Sequence, residues 1–265
     1  MLFAIAAGPA SYADFDHTHS QWEKVLKEFV VLKNPGVTEV RYGDLKKNPS
    51  ILGAYLKELE SVTLSDFKNF SKDEQLSLLI NAYNAFTVKL ILDHYPVKSI
   101  KEIGGWFSNP WKKEFFTLMG AKRTLDDIEH GMIRQDAEAL KNLGSNLVSV
   151  LKKFNEPRIH FAVNCASKGC PALGNRPYFL SELTKQLEDA TQNFLNNRDQ
   201  NRFDSAQGTL FLSSIFKWYG SDFEPSFGSI KAFVAPYIAK NKDDEKKILK
   251  ATVEYLDYDW SLNGK

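Results

Sequence analysis

The residues with the most evident capacity for chemistry lie in the segment HFAVNCASKGCP, residues 160–171. Cys165 follows the β-prone run RIHFAV and precedes a turn rich in serine and glycine, so we expect a strand over Arg158–Val163 with the thiol just beyond its end. A cysteine attacks a carbonyl carbon only as the thiolate, which a neighbouring histidine or another positive group must stabilise. The pattern therefore predicts a nucleophilic Cys165 if the fold brings a histidine to it.

Two histidines, His130 and His160, are the candidate bases for this thiol. In a straight strand His160 and Cys165 would lie on opposite faces and well apart, because side chains alternate along a strand. We therefore predict His130 as the leading base. His160 is the alternative and would require a bend of the chain at Asn164.

Charged residues beside His130 are the candidate supporting groups. Glu129 precedes His130 on a short helix that begins near Thr124, and adjacent helical side chains point about 100° apart, so the two cannot simply pair. Glu129 is predicted to orient an imidazole. Arg134 is predicted to support the site, or else to form a structural ion pair with Glu129 or Asp127.

A second group of polar residues lies on the most apolar helix of the chain. A capping box at residues 71–74 begins this helix, which must end before Pro96. Because the helix is apolar almost all round, it is expected at the centre of the core, where Asn81 and Asn84 need hydrogen-bond partners. Asn84 is an alternative group to orient the base. An oxyanion would be stabilised by Asn81 or by backbone N–H groups near residues 166–169.

Three other interpretations of Cys165 stay open. It can be a small residue of the core, it can form a disulfide with Cys170, or both cysteines can bind zinc together with histidine and Glu129. A disulfide would leave no free nucleophile, and an exported protein would meet the oxidising conditions in which disulfides persist. A Cys-x4-Cys spacing without a second tight pair is a weak signal for zinc, so neither a metal nor a cofactor is predicted.

The apolar spacing along the chain predicts the elements that would position these residues. Besides the central helix, helices are predicted over residues 19–33, from 49–50 onward, near 124, over 181–196, around 229–239 and over 244–253. Further strands are predicted over 37–42 and the ending 254–263, and hairpins over 115–124 and around 207–208. The cluster of Trp218, Tyr219, Asp222 and Phe223 is interpreted as core. The expected fold is α+β: a mainly helical single domain with a small β-sheet, over residues 14–265.

Composition and apolar patterning argue against several partner classes. The chain has 34 Lys+Arg against 33 Asp+Glu, a formal net charge of +1, which argues against a nucleic-acid or anionic-membrane surface as the main partner. No apolar run is long enough for a transmembrane segment. The start MLFAIAAGPASYA ends in small residues suited to signal-peptidase cleavage, so residues 1–13 are interpreted as a signal-peptide remnant of an exported, periplasmic or extracellular protein.

Several segments together resemble one family, which is known as domain of unknown function 547 (DUF547). The segments are LLINAYNAFTVKLILDHYPVKSI, LDDIEHGMIR, RIHFAVNCASKGCPAL, SSIFKWYGSDF and YLDYDWSLN, between about Tyr42 and Asn263. The family pattern falls here on Asn81, Tyr83, Asn84, Ile128, Glu129, His130, Arg134, His160, Phe161, Ala162 and Cys165. Plant members often have Ser-Pro where this chain has Cys170-Pro171, which weakens the disulfide and metal interpretations.

The resemblance implies no established reaction, but its architecture is distantly similar to papain-like and transglutaminase-like cysteine enzymes, with the order of the site residues permuted. We therefore expect a thiol-dependent hydrolase or acyl transferase that acts on an amide or ester of a peptide-like or small-molecule substrate. The first alternative is a non-catalytic peptide-binding or partner-binding module with a buried polar network. The second is a redox or metal site that uses Cys165 and Cys170. The sequence leaves the oligomeric state open.

Overall fold

The computed structural model describes residues 15–104 and 109–265. Its α-helices are α1 (Ser20–Phe29), α2 (Tyr42–Lys47), α3 (Ser50–Ser61), α4 (Leu64–Asn69), α5 (Lys72–His94), α6 (Ala137–Leu140), α7 (Ser145–Val148), α8 (Leu183–Leu195), α9 (Ser214–Phe227), α10 (Ile230–Ile238) and α11 (Lys242–Lys250). Its strands are β1 (Val30–Asn34), β2 (Val37–Val40), β3 (Phe116–Leu118), β4 (Ala121–Arg123), β5 (Arg202–Asp204), β6 (Thr209–Ser213) and β7 (Thr252–Leu256). The predicted α+β, mainly helical class is confirmed. The predicted signal-peptide remnant, residues 1–13, lies outside the described residues.

Helix α5 runs through the core, as its sequence predicts. The Glu74 N–H donates to Ser71 Oγ at 3.2 Å, and the Ser71 N–H donates to the Glu74 carboxylate at 2.7 Å, so the predicted capping box is present. Every residue from Gln75 to Val88 is buried. The polar groups on this helix must therefore find partners inside the protein.

Helix α1 is shorter than the predicted helix over 19–33. It ends at Phe29, and the chain continues at once into β1, which pairs antiparallel with β2. The β-branched Val30 and Val31 suit a pleated strand better than a helix end. Pairing with β2 supplies the backbone partners that a longer helix would have supplied.

The strand predicted over Arg158–Val163 is wrong, because Pro157–Phe161 form a short 3-10 helix. Proline suits the first turn of a helix, and the Glu156 carboxylate caps this turn by accepting the Arg158 N–H at 3.1 Å. Ile159 packs in the main core while Phe161 packs in a second apolar cluster. The short helix therefore holds His160 at the junction of two cores, and the expectation that His160 and Cys165 lie on opposite faces of a strand no longer applies.

The strands form small sheets of two or three strands within the described residues. β3 and β4 make the hairpin predicted around Gly120, and β5 and β6 make the one predicted at 207–208. β7 pairs parallel with β6, so α9, α10 and α11 form the crossover between these two strands. The second apolar cluster lies inside this unit, which brings α9 against the 3-10 helix at 157–161.

Across residues 15–104 and 109–265, none of the helices has the combination of length and apolar character needed to cross a bilayer.

Candidate functional site

A cavity of about 430 Å³ brings together the four residues that the sequence predicts as catalytic. Glu129, His130, His160 and Cys165 all line it, with aromatic side chains from α9 and the C-terminal segment. Of the predicted supporting residues, Asn81, Asn84 and Arg134 are not among those that line this cavity.

The helix predicted near Thr124 is present and takes the π form over Asp127–Ile133. It begins with a reciprocal pair of bonds, in which Asp127 N–H donates to Thr124 Oγ1 at 3.0 Å and Thr124 N–H donates to Asp127 Oδ2 at 2.9 Å. π-helical turns occur frequently at functional sites. This one carries Glu129 and His130 to the cavity wall.

Glu129 is a buried carboxylate, with 6% of its surface exposed. It accepts a hydrogen bond from Tyr219 Oη at 3.0 Å, whereas His130 Nδ1 is 4.0 Å from the nearest Glu129 oxygen. Burial, together with the Glu129 charge, raises the pKa values of Tyr219 and Tyr83 well above the usual range, so both remain protonated donors. Glu129 therefore binds tyrosines rather than orienting the neighbouring imidazole.

Arg134 forms neither of its predicted ion pairs, because its guanidinium binds Asp222 on α9. Its Nε donates to Asp222 Oδ2 at 2.7 Å and its Nη2 to Asp222 Oδ1 at 3.0 Å, a two-pronged arrangement. Its Nη1 donates to His130 Nδ1 at 3.0 Å. The prediction of a Glu129 or Asp127 partner is wrong because α9, distant in sequence, supplies a carboxylate with better geometry.

His160 is buried, and its ring is held on two sides. Its Nε2–H donates to Asp222 Oδ2 at 2.7 Å, and the ring stacks on Tyr219 with centroids 4.2 Å apart. In the described part of the chain, its Nδ1 is buried without a hydrogen-bond partner. A neutral imidazole whose Nε2 carries the proton has its lone pair on Nδ1.

The burial of His160 favours that neutral form. Burial lowers the pKa of His160 below its ordinary value, although Asp222 opposes this shift. Burial acts to raise the pKa of Asp222, but the hydrogen bonds from His160 and Arg134 outweigh it and hold this pKa well below the usual range. Asp222 is thus an ionised carboxylate that fixes the orientation and the tautomer of a neutral imidazole.

His130 has a different setting. Arg134 donates to its Nδ1, and its Nε2 lies 3.8 Å from Asp126 Oδ1, beyond hydrogen-bond distance. About 28% of its side chain is exposed. His130 therefore lies at the cavity wall without a carboxylate that fixes its ring.

Cys165 and Cys170 form a disulfide, one of the alternatives that the sequence leaves open. Cys165 Sγ lies 3.1 Å from Ser167 Oγ and 3.2 Å from Tyr258 Oη, and Tyr258 Oη lies 3.0 Å from Cys170 Sγ. Over residues 15–104 and 109–265, no histidine nitrogen is within hydrogen-bond distance of Cys165 Sγ in this state. The tyrosine hydroxyl therefore contacts both sulfurs, while the nucleophile predicted from the sequence is in its oxidised form.

Asn84, a buried amide of α5, holds the backbone that leads into this disulfide. Asn84 Nδ2 donates to the Ala162 carbonyl at 3.0 Å, and Asn84 Oδ1 accepts the Asn164 N–H at 2.8 Å. Asn164 Oδ1 in turn accepts the Ala166 N–H at 2.9 Å and Asn263 Nδ2 at 3.1 Å. Asn84 is thus a supporting residue that acts on the loop around Cys165 and not on an imidazole.

The oxyanion donors that the sequence suggests are largely committed to other bonds. Asn81 uses both of its amide atoms on the backbone of Tyr178, at 2.8 and 3.0 Å. The N–H groups of Lys168 and Gly169 donate to the carbonyls of Ser261 and Asp259. Polar hydrogens near the sulfur come instead from the hydroxyls of Ser167 and Tyr258.

The sequence analysis missed Asp222 and Tyr219, which it assigned to the core. They lie three residues apart on α9 and therefore on one face, where both contact His160. The sequence signal that could have found them is an acidic residue, Asp222, three positions after Tyr219 within an aromatic stretch. Within the described residues, no group of three or more His, Cys, Asp or Glu side chains is arranged to hold a metal ion.

Comparison with known proteins agrees with the resemblance inferred from the sequence. The family model described as "Protein of unknown function, DUF547" matches residues 67–195. This segment resembles DUF547. The DUF547-like segment contains α5, the π-helix, His160 and both cysteines, whereas Asp222 and Tyr258 come from residues beyond the match. No curated protein and no solved structure matches the chain.

Proposed function

We propose that the protein is a thiol-dependent hydrolase or acyl transferase whose nucleophile is Cys165 in its reduced form. The observation that carries this proposal is the buried His160, which is held by Asp222 through Nε2 and has an unpartnered Nδ1 among the described residues, in the cavity that Cys165 also lines. A cysteine, a histidine and a carboxylate in these roles suit nucleophilic attack on an amide or ester carbonyl.

The geometry supports a different base from the one that the sequence predicts. His160 has the carboxylate, the burial and the free lone pair that a general base needs, whereas Nδ1 of His130 already accepts from Arg134. We therefore assign the base to His160. His130 then lines the cavity without acting as the base.

The proposed reaction has two steps. His160 Nδ1 takes the thiol proton, Cys165 Sγ bonds to the carbonyl carbon, and the leaving oxygen or nitrogen departs with that proton, which leaves a thioester. Water or another acceptor then attacks the thioester carbon, gives a proton to His160 and releases the acyl group, which restores the thiol. Asp222 stabilises the imidazolium that forms between these proton transfers.

The disulfide places a condition on this chemistry. A sulfur bonded to Cys170 cannot attack a carbonyl, so a dithiol reductant must first convert the disulfide to two thiols while it is itself oxidised to a disulfide. Reduction also frees the Cys165 side chain to rotate, because its sulfur is no longer tied to Cys170. The unpartnered Nδ1 of His160 supports this step, because a free thiol in the same cavity would need a hydrogen-bond acceptor.

The test uses para-nitrophenyl acetate and full-length protein that has been reduced and then freed of excess reductant. Repeated turnover, with an acetyl group on Cys165 by peptide mass spectrometry, is the expected result. Cys165→Ser should abolish it, and His160→Gln should slow it by about 10²-fold or more. Equal rates for the oxidised and the reduced protein, or acetylation without turnover, would contradict the proposal.

A second candidate is a dithiol–disulfide redox function, because the cysteine pair itself lines the cavity. The two functions differ in their need for Cys170. Cys170→Ser should keep acyl transfer and should remove any capacity to pass two electrons and two protons to a peptide disulfide. Loss of both activities in Cys170→Ser, with an unchanged melting temperature, would favour the redox function.

A further inference from the structure

The cavity beside Cys165 has a wall of packed aromatic rings. Tyr258 packs against Trp218 and Trp260, with ring centroids 4.9 and 4.5 Å away, and Trp111 meets Trp260 at 5.8 Å. Tyr219 adjoins Trp218 at 6.4 Å and completes the wall next to His160. We call these five rings the aromatic wall. All five line the cavity, and Trp218 is 43% exposed, so an incoming molecule can reach them.

Carboxylates lie in the same cavity. Glu129 and Asp126 line it, and Lys112 is the one Lys or Arg among the described lining residues. Arg134 stands behind the wall and is committed to Asp222. The lining thus holds two acidic side chains and one ammonium, and burial raises the pKa of Asp126, so Glu129 is the principal counter-charge.

Aromatic faces and carboxylates attract the same class of ligand. The face of an indole or phenol ring carries negative charge density, which binds ammonium groups, most strongly when the cation is poorly hydrated. The rings here already bind cations of the protein itself, since Lys101 Nζ lies 3.9 Å from the centroid of Trp260 and Arg134 Cζ lies 4.9 Å from that of Tyr219. An anion would instead meet both carboxylates, and a neutral group would use only the apolar part of the surface.

From this arrangement we infer that the cavity binds an organic ammonium group, a methylated one above all, on the aromatic wall with Glu129 as its counter-charge. Its volume of about 430 Å³ lies in the range of ordinary small-molecule sites. Tyr258 belongs to the aromatic wall and its hydroxyl lies 3.2 Å from Cys165 Sγ, so a bound ammonium lies next to the sulfur. The inference that this ammonium is part of the substrate rests on the proposed acyl transfer. The inference that the cavity binds the ammonium does not.

The test measures binding of choline and of dimethylbutanol, its neutral carbon isostere, by calorimetry and tryptophan fluorescence. Choline should bind more tightly than the isostere by roughly 2- to 30-fold, the range that a cation–aromatic interaction supplies. Trp22 is buried against Tyr55, away from the cavity, so Trp22→Phe should leave the ligand-dependent change in fluorescence in place.

Two variants locate the site. Glu129→Gln should weaken choline binding by several-fold and leave dimethylbutanol unaffected, while the matched charge change Asp243→Asn, on an exposed helix, should alter neither. Glu129→Gln also disturbs the bond from Tyr219, so Trp218→Leu at a half-exposed position is the second variant and should weaken choline more than the isostere. Equal binding of choline and its isostere, or equal affinity in wild type and Trp218→Leu, would overturn the inference.

Cys165→Ser separates this inference from the proposed function. Choline binding should persist in that variant, because neither sulfur contributes to the aromatic wall. Binding without turnover in the reduced wild type would sustain the ammonium site and refute the acyl transfer. Turnover with no preference for choline over dimethylbutanol would support the acyl transfer and refute the ammonium site.

Discussion

Two buried polar regions include residues of the segment from His160 to Ala166, and they differ in how completely their hydrogen bonds are satisfied. Around Asn84 and Asn164 each amide group has a partner, mostly in the backbone. Around His160 one nitrogen is held tightly by Asp222, and the other has no partner in the described chain. A closed network fixes a loop, whereas an open one leaves capacity for a reacting group.

An unpartnered nitrogen is not sufficient as a sign of function. His19 Nε2 is also buried without a partner within residues 15–104 and 109–265, but His19 is bonded to Tyr55 away from the cavity. His160 differs because it lines a cavity with a cysteine and because an ionised carboxylate fixes its other nitrogen. The conjunction of these features, and not the missing bond alone, distinguishes the two regions.

The most severe test of this distinction is Asp222→Asn. An amide can donate to Nε2 and thereby favour the wrong tautomer of His160, so the rate of acyl transfer should fall by about 10³- to 10⁴-fold. The measurement is steady-state turnover of the reduced protein. Asp189→Asn, at an exposed position on α8, is the matched control and should leave the rate unchanged. A similar small loss in both variants would remove Asp222 from the proposed mechanism.

Asn84→Leu should act mainly on stability, whereas Asp222→Asn acts mainly on the rate of acyl transfer. The reason is that Asn84→Leu breaks the closed network. It removes the partners of the Ala162 carbonyl and the Asn164 N–H, and we expect the free energy of unfolding to fall by about 1–3 kcal/mol. Urea denaturation provides the measurement. Asn146→Leu, on an exposed turn of α7, should change stability by less than about 0.5 kcal/mol. If both variants unfold at the same urea concentration as the parent, the Asn84 network does not stabilise the fold.

Thiol labelling compares the two histidines directly. In the reduced protein at about pH 6, iodoacetamide should alkylate Cys165 faster than Cys170 by about fivefold or more, because an imidazole favours the thiolate. His160→Ala should remove most of this advantage, and His130→Ala should remove little of it. Peptide mass spectrometry over time gives both rates. The unfolded protein, in which the two cysteines should react alike, is the control, and the reverse order of the histidine effects would return the base to His130.

The smallest expected effect is on the pH dependence of stability. Because burial places the folded pKa of His160 below 6.5, the unfolded chain binds more protons, and stability should decline as the pH falls below about 6.5. Asp222 adds to this decline near and below about pH 4, since its stabilising contribution is lost as the pH falls through its depressed folded pKa. His160→Gln should flatten the decline that begins below about pH 6.5 in urea denaturation. An equal slope in both proteins would show that His160 does not titrate as a buried neutral group.

The sequence predicted the elements whose signals are local. The capping box of α5, its apolar surface and the turn at Gly120 each depend on residues close together in the chain, and all are present. Asn81 and Asn84 were expected to be buried with partners, and they are. Their partners themselves could not be predicted, because they are backbone groups about 80 to 97 residues away.

The errors at the candidate site arose where tertiary packing overrides local preference. The run RIHFAV has the composition of a strand, but Pro157 and the Glu156 cap favour a helical turn, and no neighbouring strand is available to it in the described structure. Because of that error, His160 was predicted only as the alternative base. Asp222 is 62 residues from His160 in sequence, and its position depends on the packing of α9, which no local pattern specifies.

The contacts made by Tyr258 and Asn263 have a consequence for biosynthesis. Tyr258 touches both sulfurs, and Asn263 binds Asn164 and the backbone of Val40, so the loop around Cys165 lacks these supports until residues 258–263 have left the ribosome. A nascent or prematurely terminated chain would present both cysteines without them. Ribosome-bound chains that lack residues 258–265 should therefore oxidise and label at Cys165 and Cys170 like unfolded polypeptide, even when α5 and the central core have already formed.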